Sequence, residues 1–169
     1  MVQHLWAPWR MTYLQCKDEG CDDCVFCVAD KAAEDTERLI LYRGRLAFVM
    51  MNKFPYTNGH LLIAPYRHVA DVADIEDQEM LEMHRLLKLS RRLLESYCKP
   101  QGYNVGMNIG RIAGAGIADH VHLHLVPRWI GDTNFMPVFA EVRVIPQHIQ
   151  ETYQALSRLF SRYREDCGC

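Results

Sequence analysis

The sequence predicts an α+β protein, and three observations support this class. Short apolar runs separated by turn residues predict consecutive strands between positions 38 and 64, which would lie antiparallel as a meander. Apolar residues at helical spacing predict one long helix after residue 74 and another over residues 147–164. Histidine alternates with aliphatic residues from His120 to Leu125, which predicts a further strand with two different faces.

Length, composition and charge are those of an ordinary globular domain. The chain has 169 residues, of which 49% are hydrophobic and 24% charged, so one domain with a sizeable core is expected. The net charge of −2 provides no basic field for nucleic acid. The sequence has neither a signal segment nor an apolar run of the ~18 residues that a membrane span needs. We therefore expect a cytoplasmic protein without nucleic-acid or membrane partners.

The first half of the chain predicts three strands joined by turns. The first two strands flank Gly44, and a turn-rich segment at residues 54–59 precedes the third. These strands cover residues 38–43, 46–51 and 60–64. Asn52 directly follows the second strand. His60 begins the third, where its ring would either face the polar side of the sheet beside the other histidines or satisfy a buried carbonyl group.

The first predicted helix is long and amphipathic. Asp74 or Asp77 can cap its amino end, and Lys99-Pro100 ends it. Its apolar stripe consists of Met80, Met83, Leu86, Leu87, Leu94 and Tyr97. A fourth strand over residues 104–109, a short extended piece at 142–145 and the final helix complete the prediction.

Three imidazoles would lie on one face of the histidine strand. Side chains alternate between faces, so those at positions i and i+2 stand about 6 to 7 Å apart on the same side. His120, His122 and His124 would then bring together groups that act as nucleophile, acid, base or metal ligand near neutral pH. The small residues of the preceding loop, residues 110–119, would let backbone N–H groups approach a phosphate. The alternative is a chance run of surface histidines.

The seven cysteines cluster mainly near the amino end, which suits a metal site in a reducing compartment better than a disulfide framework. The Cys24-x2-Cys27 pair can present two thiolates to a tetrahedral zinc ion, which needs two further ligands. Histidines elsewhere in the chain offer them, namely His68 and His120.

Three other interpretations of the cysteines stay open. Cys21 can replace Cys24 as a ligand. The spacing of Cys16, Cys21 and Cys24 resembles that of an iron–sulfur site, which would need a distant fourth cysteine such as Cys98. Finally, the thiols can be free of metal altogether.

The alternating histidines resemble the signature of a known family. His120-Val121-His122-Leu123-His124-Leu125-Val126 is similar to the motif of the histidine triad (HIT) superfamily of nucleotide hydrolases and transferases. Neighbouring segments extend the resemblance over most of the chain. Residues 52–68 and 104–110 resemble the family core, whereas residues 5–10 and 127–135 resemble its bacterial diadenosine tetraphosphate phosphorylase branch.

The resemblance implies a fold and an organisation. We expect a twisted antiparallel sheet of about five strands, with the long helix packed on one face and a carboxyl-terminal helix. Residues 1–169 would form a single HIT-like domain, associated as a homodimer or homotetramer. Within it, residues 1–30 form an arm with the zinc-binding turn, 38–128 the HIT core and 129–169 an extension with the last helix.

The resemblance also implies roles for individual residues. His122 would be the catalytic nucleophile, and His124 would hydrogen-bond the phosphate oxygens. A structural Zn²⁺ would be held by Cys24, Cys27, His68 and His120, while Mg²⁺ can accompany a polyphosphate substrate. The expected substrate-binding residues are Arg10, Asn52, His60, Asn108, Gly114, Gly116, Asp132 and Asn134.

One departure limits this transfer. Gly116 and Ile117 stand where the nucleoside phosphoramidase branch usually has Gln and Ser, so the roles of those side chains cannot be carried over. The implied activity is nucleotidyl transfer through a nucleotidyl-histidine intermediate, with phosphorolysis of diadenosine tetraphosphate to ADP and ATP as the first expectation. The alternatives are a dinucleoside polyphosphate hydrolase, a purine nucleoside phosphoramidase, and a zinc-stabilised module that binds adenine nucleotides without turnover.

Overall fold

A computed structural model describes residues 24–132 and 148–167 of the chain. The strands there are β1 (Ile40–Arg43), β2 (Ala47–Met51), β3 (Leu61–Pro65), β4 (Gly102–Met107) and β5 (Leu123–Arg128), and the α-helices are α1 (Asp77–Cys98) and α2 (Ile149–Cys167). The five strands form one antiparallel sheet in the order β1-β2-β3-β5-β4. This arrangement confirms the predicted α+β fold, including the meander of the first three strands.

The histidine-bearing strand β5 lies inside the sheet. It pairs with β3 on one side, where Leu125 is opposite Leu61, and with β4 on the other, where the same residue is opposite Val105. Because both edges of β5 are hydrogen-bonded to neighbours, its backbone is held on both sides. The fold therefore gives His124 a rigid support.

The two faces of the sheet carry two separate cores. In β2, Val49 and Met51 point toward the helices, whereas Phe48 and Met50 point to the opposite face, as the period of two requires. The larger core lies between the sheet, α1 and α2. The smaller core, on the opposite face, consists of Phe26, Val28, Ile40, Phe48, Met50, Leu62 and Ala64.

The amino end of α1 differs from the prediction. Its cap is Glu76, not Asp74 or Asp77, because the Glu79 carboxylate turns back to accept from the Glu76 N–H at 2.9 Å. Glu79 is buried, and it also accepts from the Arg67 guanidinium at 2.7 and 2.8 Å. The helix start is thus selected by a tertiary ion pair that the local sequence does not reveal.

The strand bounds also differ from the predictions. β1 begins at Ile40 and β4 covers Gly102–Met107, two residues earlier than expected. The most consequential difference concerns the histidines, because β5 begins only at Leu123. His120 and His122 precede the strand, so the predicted start of this strand at His120 is wrong, although His122 and His124 still line one cavity with their ring centroids 4.9 Å apart. A hydrogen bond from the Val121 N–H to the Val69 carbonyl, at 2.7 Å, holds this segment outside the sheet.

Several predicted features lie outside the described residues. These are the amino-terminal arm with Arg10, Cys16 and Cys21, the extended piece at 142–145, and Asn134. Among the helices of residues 24–132 and 148–167, none combines the length and the apolarity required to cross a bilayer.

Candidate active site

A cavity of about 290 Å³ opens on the sheet face that carries the smaller core. Its walls are mostly apolar, with a few polar and charged groups, which is the usual composition of a small-molecule site. His122 and His124 both line it. The other lining residues are Val25, Phe26, Glu37, Arg38, Leu39, Met50, Asn52, Lys53, Phe54, Tyr56, Leu62, Gly114, Gly116 and Ile117.

One wall of the cavity contains a strained backbone residue. Leu39 has a φ of +59°, although it is not glycine, and this left-handed conformation costs an L-residue roughly 1–2 kcal/mol. Its side chain is 4% exposed and belongs to the main core while also lining the cavity. Strain of this kind is tolerated where the surrounding structure determines the conformation, and it occurs often at binding sites.

His122 is held in the tautomer that an attacking imidazole needs. Its Nδ1 atom lies 2.8 Å from the carbonyl oxygen of His120. Because a carbonyl group only accepts, Nδ1 carries the proton and Nε2 keeps its lone pair. Burial lowers the pKa of His122, so the ring is neutral near pH 7. The side chain therefore has a nucleophilic nitrogen available without prior deprotonation.

Asn52 and Tyr56 determine the tautomer of the fully buried His60. The Phe54 N–H donates to Asn52 Oδ1 at 2.9 Å, which orients the amide so that Asn52 Nδ2 lies 3.2 Å from His60 Nδ1. The backbone N–H of Tyr56 donates to the same His60 nitrogen at 3.2 Å. Since both neighbours are donors, His60 Nδ1 is an acceptor and the ring proton resides on Nε2.

The tautomer of His60 in turn determines that of His124. His60 Nε2 lies 2.9 Å from His124 Nδ1, and because Nε2 carries the proton, His124 Nδ1 accepts. A neutral His124 then carries its own proton on Nε2. The Tyr56 ring lies nearly parallel to the His124 ring, at 11°, with the centroids 6.0 Å apart. His124 is thereby an oriented N–H donor beside the cavity.

Next to the cavity, Cys24, Cys27, His68 and His120 form a cluster that can hold a metal ion. Their ligand atoms all lie within 4.8 Å of one another. Cys24 Sγ lies 3.5 Å from His120 Nδ1, and Cys27 Sγ lies 3.4 Å from His68 Nδ1. Tetrahedral zinc with ordinary bond lengths would separate sulfur and nitrogen ligands by about 3.5 Å. The donor set and its spacing therefore fit such an ion.

His120 connects this cluster to His122. Its Nε2 donates to the Pro65 carbonyl at 3.0 Å, which leaves Nδ1 unprotonated and directed to the cluster, the usual arrangement of a histidine ligand. Burial lowers the pKa of His120 to about 4, so the ring is neutral. Its backbone carbonyl is the acceptor for His122. One residue thus contributes its ring to the cluster and its backbone to the tautomer of the neighbouring imidazole.

The structure brings most of the predicted site residues together. Asn52, Gly114 and Gly116 line the cavity with the two histidines, and the buried His60 contacts Asn52 and His124. Asn52 has one amide hydrogen committed to His60, and its second hydrogen can still reach a ligand. Arg10 and Asn134 lie outside the described residues.

Two predicted binding residues have structural partners instead. Asp132 accepts from Arg128 Nε and Nη2 at 2.5 and 2.8 Å, and from the Trp129 N–H at 3.1 Å. Asn108 does not line the cavity; its Nδ2 lies 3.5 Å from the Gly114 carbonyl. The expected phosphate cradle is also partly closed, because the N–H of Gly114 donates to the Arg111 carbonyl at 3.0 Å.

Sequence reasoning missed two residues that shape the site. Tyr56 acts through its backbone N–H, which leaves no trace in the sequence. Phe26 packs on His122 with a centroid distance of 4.6 Å and on His120 with 5.2 Å. A signal for Phe26 was available, since a large apolar side chain between two metal-ligating cysteines must pack against whatever the metal site adjoins.

Comparisons with known proteins agree with this geometry. Residues 33–129 match the HIT domain family. The chain is 34% identical over 167 residues to the AP-4-A phosphorylase of Mycobacterium tuberculosis, covering 95% of this chain and 86% of that protein. It is 30% identical over 105 residues to the adenosine 5'-monophosphoramidase hnt1 of Schizosaccharomyces pombe, covering 62% of this chain and 74% of that protein.

Solved structures share the fold. The Zn-bound histidine triad family protein of Mycobacterium smegmatis aligns with a TM-score of 0.64 at 22% identity, over 87% of this chain and 99% of that one. The histidine triad nucleotide-binding protein ST2152 of Sulfolobus tokodaii aligns with a TM-score of 0.62 at 24% identity, over 85% of this chain and 93% of that one.

Proposed function

The chain belongs to the HIT domain family and is one of its enzymes, and from this premise we propose that it catalyses phosphorolysis of diadenosine tetraphosphate to ADP and ATP. The observation that carries the proposal is the neutral His122, whose Nδ1 is committed to the His120 carbonyl at 2.8 Å. The 34% identity to an AP-4-A phosphorylase over nearly the whole chain supports the choice of substrate.

In the first step, His122 Nε2 attacks the α-phosphorus of the bound adenylyl group. The N–P bond forms while the bond from this phosphorus to the bridging oxygen breaks, and ATP leaves with the electron pair. In the second step, an oxygen of orthophosphate attacks the same phosphorus, the P–N bond breaks and ADP forms. The His122 proton on Nδ1 stays on the ring throughout, hydrogen-bonded to the His120 carbonyl.

His124 stabilises the charge that develops during both steps. As a neutral ring with its proton on Nε2, it donates to a phosphate oxygen, where a donor that is already oriented is most effective. His60 maintains this state through the 2.9 Å contact to His124 Nδ1. Lys53 lines the cavity and would supply positive charge beside the polyphosphate chain, whereas Arg38, which also lines it, pairs with Glu34 at 2.6 Å.

The size of the cavity favours one bound nucleoside over two. Its volume of about 290 Å³ lies just below the ~300–1,000 Å³ range of small-molecule sites. The adenosine whose α-phosphate is attacked would occupy the apolar part between Leu39, Met50 and Leu62. Asn52 would hydrogen-bond its ribose hydroxyls, and the second nucleotide would extend outside.

We also propose that the cysteine–histidine cluster binds a structural zinc ion. Four protein ligands close a tetrahedral site, so the ion has no open position for substrate or water. When bound, it supplies structural support only; catalysis stays with the imidazoles. The Zn-bound relative supports this proposal through the shared fold. Association as a homodimer or homotetramer, a cytoplasmic location and Mg²⁺ accompanying the substrate stay predictions.

Two other activities have some support. The 30% identity to an adenosine 5'-monophosphoramidase favours a phosphoramidate substrate, with P–N cleavage in the first step. Water in place of orthophosphate would make the enzyme a hydrolase that forms AMP and ATP. A binding module without turnover is less well supported, because it has no need of an oriented His122.

Product analysis distinguishes these activities. Diadenosine tetraphosphate is incubated with the wild type and with His122→Ala, with and without orthophosphate, and nucleotides are separated chromatographically. Formation of ADP and ATP only with orthophosphate, and only by the wild type, is the expected result. AMP and ATP without orthophosphate would overturn phosphorolysis in favour of hydrolysis. Absence of turnover, followed by cleavage of adenosine phosphoramidate, would establish the phosphoramidase.

A further inference from the structure

The metal cluster and the nucleotide cavity have one wall in common. Cys24 and Cys27 are the first and last residues of a turn closed by the Cys27 N–H donating to the Cys24 carbonyl at 2.9 Å. Both residues between them, Val25 and Phe26, line the cavity. A change in the conformation of this turn therefore changes both sites.

Phe26 is a side-chain contact between the two sites, in addition to the bond from His122 Nδ1 to the His120 carbonyl. Its side chain is 1% exposed, and its ring packs on His122 at 4.6 Å and on His120 at 5.2 Å between centroids. One of these imidazoles belongs to the metal cluster and the other to the cavity. Because protein interiors are close-packed, the phenyl ring cannot shift without moving at least one of them.

The residue that follows the turn, Val28, is anchored to strand β1. Arg43 Nη1 donates to the Val28 carbonyl at 2.8 Å, and its guanidinium forms a bidentate pair with Asp35. This anchor fixes the end of the segment that follows Cys27. Among the described residues, the part that precedes it is held by the Cys27 N–H bond to the Cys24 carbonyl, by packing of Phe26 and by the contacts within the cluster. A metal ion bound by both cysteines would join the two ends of this turn to His68 and His120 and so restrain the Phe26 wall further.

We propose that metal binding and nucleotide binding are thermodynamically coupled through Phe26. A metal ion orders the turn and presets the cavity wall, so that the nucleotide no longer has to order it on binding. By linkage, a bound nucleotide restrains the same wall and tightens the metal site by the same factor. Typical couplings between sites are 5–150-fold. The proposal rests on the nucleotide and zinc binding proposed above, and it makes Phe26 a positioning residue.

The test measures zinc release and nucleotide affinity on the full-length, zinc-loaded protein, independently of turnover. Zinc transfer to a colorimetric chelator is followed with and without saturating AMP, and AMP affinity is measured calorimetrically before and after zinc removal. We expect AMP to slow zinc release at least about fivefold, and zinc removal to weaken AMP binding at least about fivefold.

Two matched variants identify the coupling residue. Phe26→Leu keeps an apolar side chain but removes the ring between the imidazoles. This variant should bind both zinc and AMP, and its rate of zinc release should be nearly the same with and without AMP. Phe48→Leu makes the same change in the same core at a residue that does not line the cavity, and it should retain the full coupling.

The outcomes separate this inference from the proposed function. AMP binding with an unchanged rate of zinc release would overturn the coupling and leave the proposed function intact. Full coupling in Phe26→Leu would overturn the role of Phe26. Absence of AMP binding would overturn the coupling, while the product analysis described above decides the proposed function separately. A purified protein without zinc by elemental analysis would also overturn the coupling. If Phe26→Leu does not fold, the wild-type comparison alone still decides whether the sites are coupled.

Discussion

His60 Nε2 lies 2.9 Å from His124 Nδ1, and the hydrogen bonds around His60 determine which ring donates. The Asn52 amide and the Tyr56 N–H both donate to His60 Nδ1, so its proton is on Nε2 and His124 accepts. We expect ¹⁵N-labelled histidine NMR spectra, recorded at a pH where both rings are neutral, to show Nδ1 unprotonated and Nε2 protonated in each ring. A proton on Nδ1 of either ring would contradict the assignment.

The same relationship predicts opposite effects of two nearly isosteric substitutions. In His60→Gln, the side-chain amide can still donate to His124 Nδ1, and we expect turnover to fall less than about tenfold. In His60→Glu, a carboxylate can only accept, so the His124 proton moves to Nδ1 and Nε2 stops donating. Loss of one such donor costs roughly 10²–10³ in turnover. Equal losses, measured in both variants as kcat, would show that His60 acts through packing alone.

Glu79 should make stability depend on pH. The Arg67 guanidinium beside it lowers the pKa of the Glu79 carboxyl below its ordinary 4.5. Because the pKa of this carboxyl is lower in the folded state than in the unfolded state, its ionised form stabilises the fold at pH values above the unfolded-state pKa. This stabilisation is lost as the pH falls through the folded-state pKa. Glu79→Gln should reduce the free energy of unfolding by about 1 kcal/mol at pH 7, since Arg67 is partly exposed. The difference from the wild type should shrink below pH 4.5.

Denaturant titrations over the range from pH 7 to pH 3 measure this effect. Glu95→Gln is the control, because Glu95 pairs with Arg91 at 3.3 Å with both side chains about half exposed. An exposed pair of this kind contributes less than ~0.5 kcal/mol. A constant difference between Glu79→Gln and the wild type at every pH would exclude the ionised carboxylate as the cause.

Position 59 requires glycine for two reasons, its backbone conformation and the closeness of neighbouring atoms. Its φ is +76°, and a Cβ there would lie 3.1 Å from Leu94 Cδ2. We expect Gly59→Ala to destabilise the fold by about 2 kcal/mol, of which roughly 1–2 kcal/mol is the left-handed conformation. Gly110 has a similar φ of +79° with no atom within 4 Å of a Cβ, so Gly110→Ala isolates the conformational part. Identical losses in the two unfolding free energies would exclude crowding at Gly59.

Zinc removal should lower the melting temperature through the four-residue cluster. We expect chelator treatment of the wild type and the substitution Cys27→Ser to reduce the melting temperature by similar amounts, because each removes the ion that joins the turn to His68 and to His120. Chelator should have no further effect on Cys27→Ser. Cys98→Ser, a substitution in α1 away from the cluster, should keep the complete response to chelator. A melting temperature of the wild type that chelator does not change would contradict the zinc proposal.

The local pattern of apolar and polar residues predicted most of the strands and helices. The element limits that it did not predict are set by contacts between residues far apart in the chain. The meander was predicted because turn residues separate short apolar runs such as β2, which is buried on both faces. Helix α1 was predicted because its apolar residues recur on one face. The start of α1 was not predicted, since Arg67 fixes Glu79 from outside the helix. The start of β5 near His120 was not predicted either, because the Val69 carbonyl and the metal cluster compete with the sheet for this segment.

In the candidate site too, some features were predictable from the sequence and others were not. The identity of its titratable groups follows from residue type and from the family resemblance, and the structure brings His122, His124, Asn52 and His60 together. The tautomers depend on backbone groups of Tyr56 and His120, and the sequence carries no information about where a given N–H or carbonyl group points. The strain at Leu39 is equally invisible to local pattern.

The position of β5 between β3 and β4 also has a consequence for the order of assembly. The meander β1-β2-β3 and helix α1 are complete at residue 98, and the hairpin of β4 and β5 is local in the chain. Pairing of β5 with β3 spans about sixty residues, and closing such a loop is slow relative to local steps. The chemistry proposed for His122 and His124 requires this pairing, so we expect activity during refolding to recover no earlier than the β3–β5 contact forms.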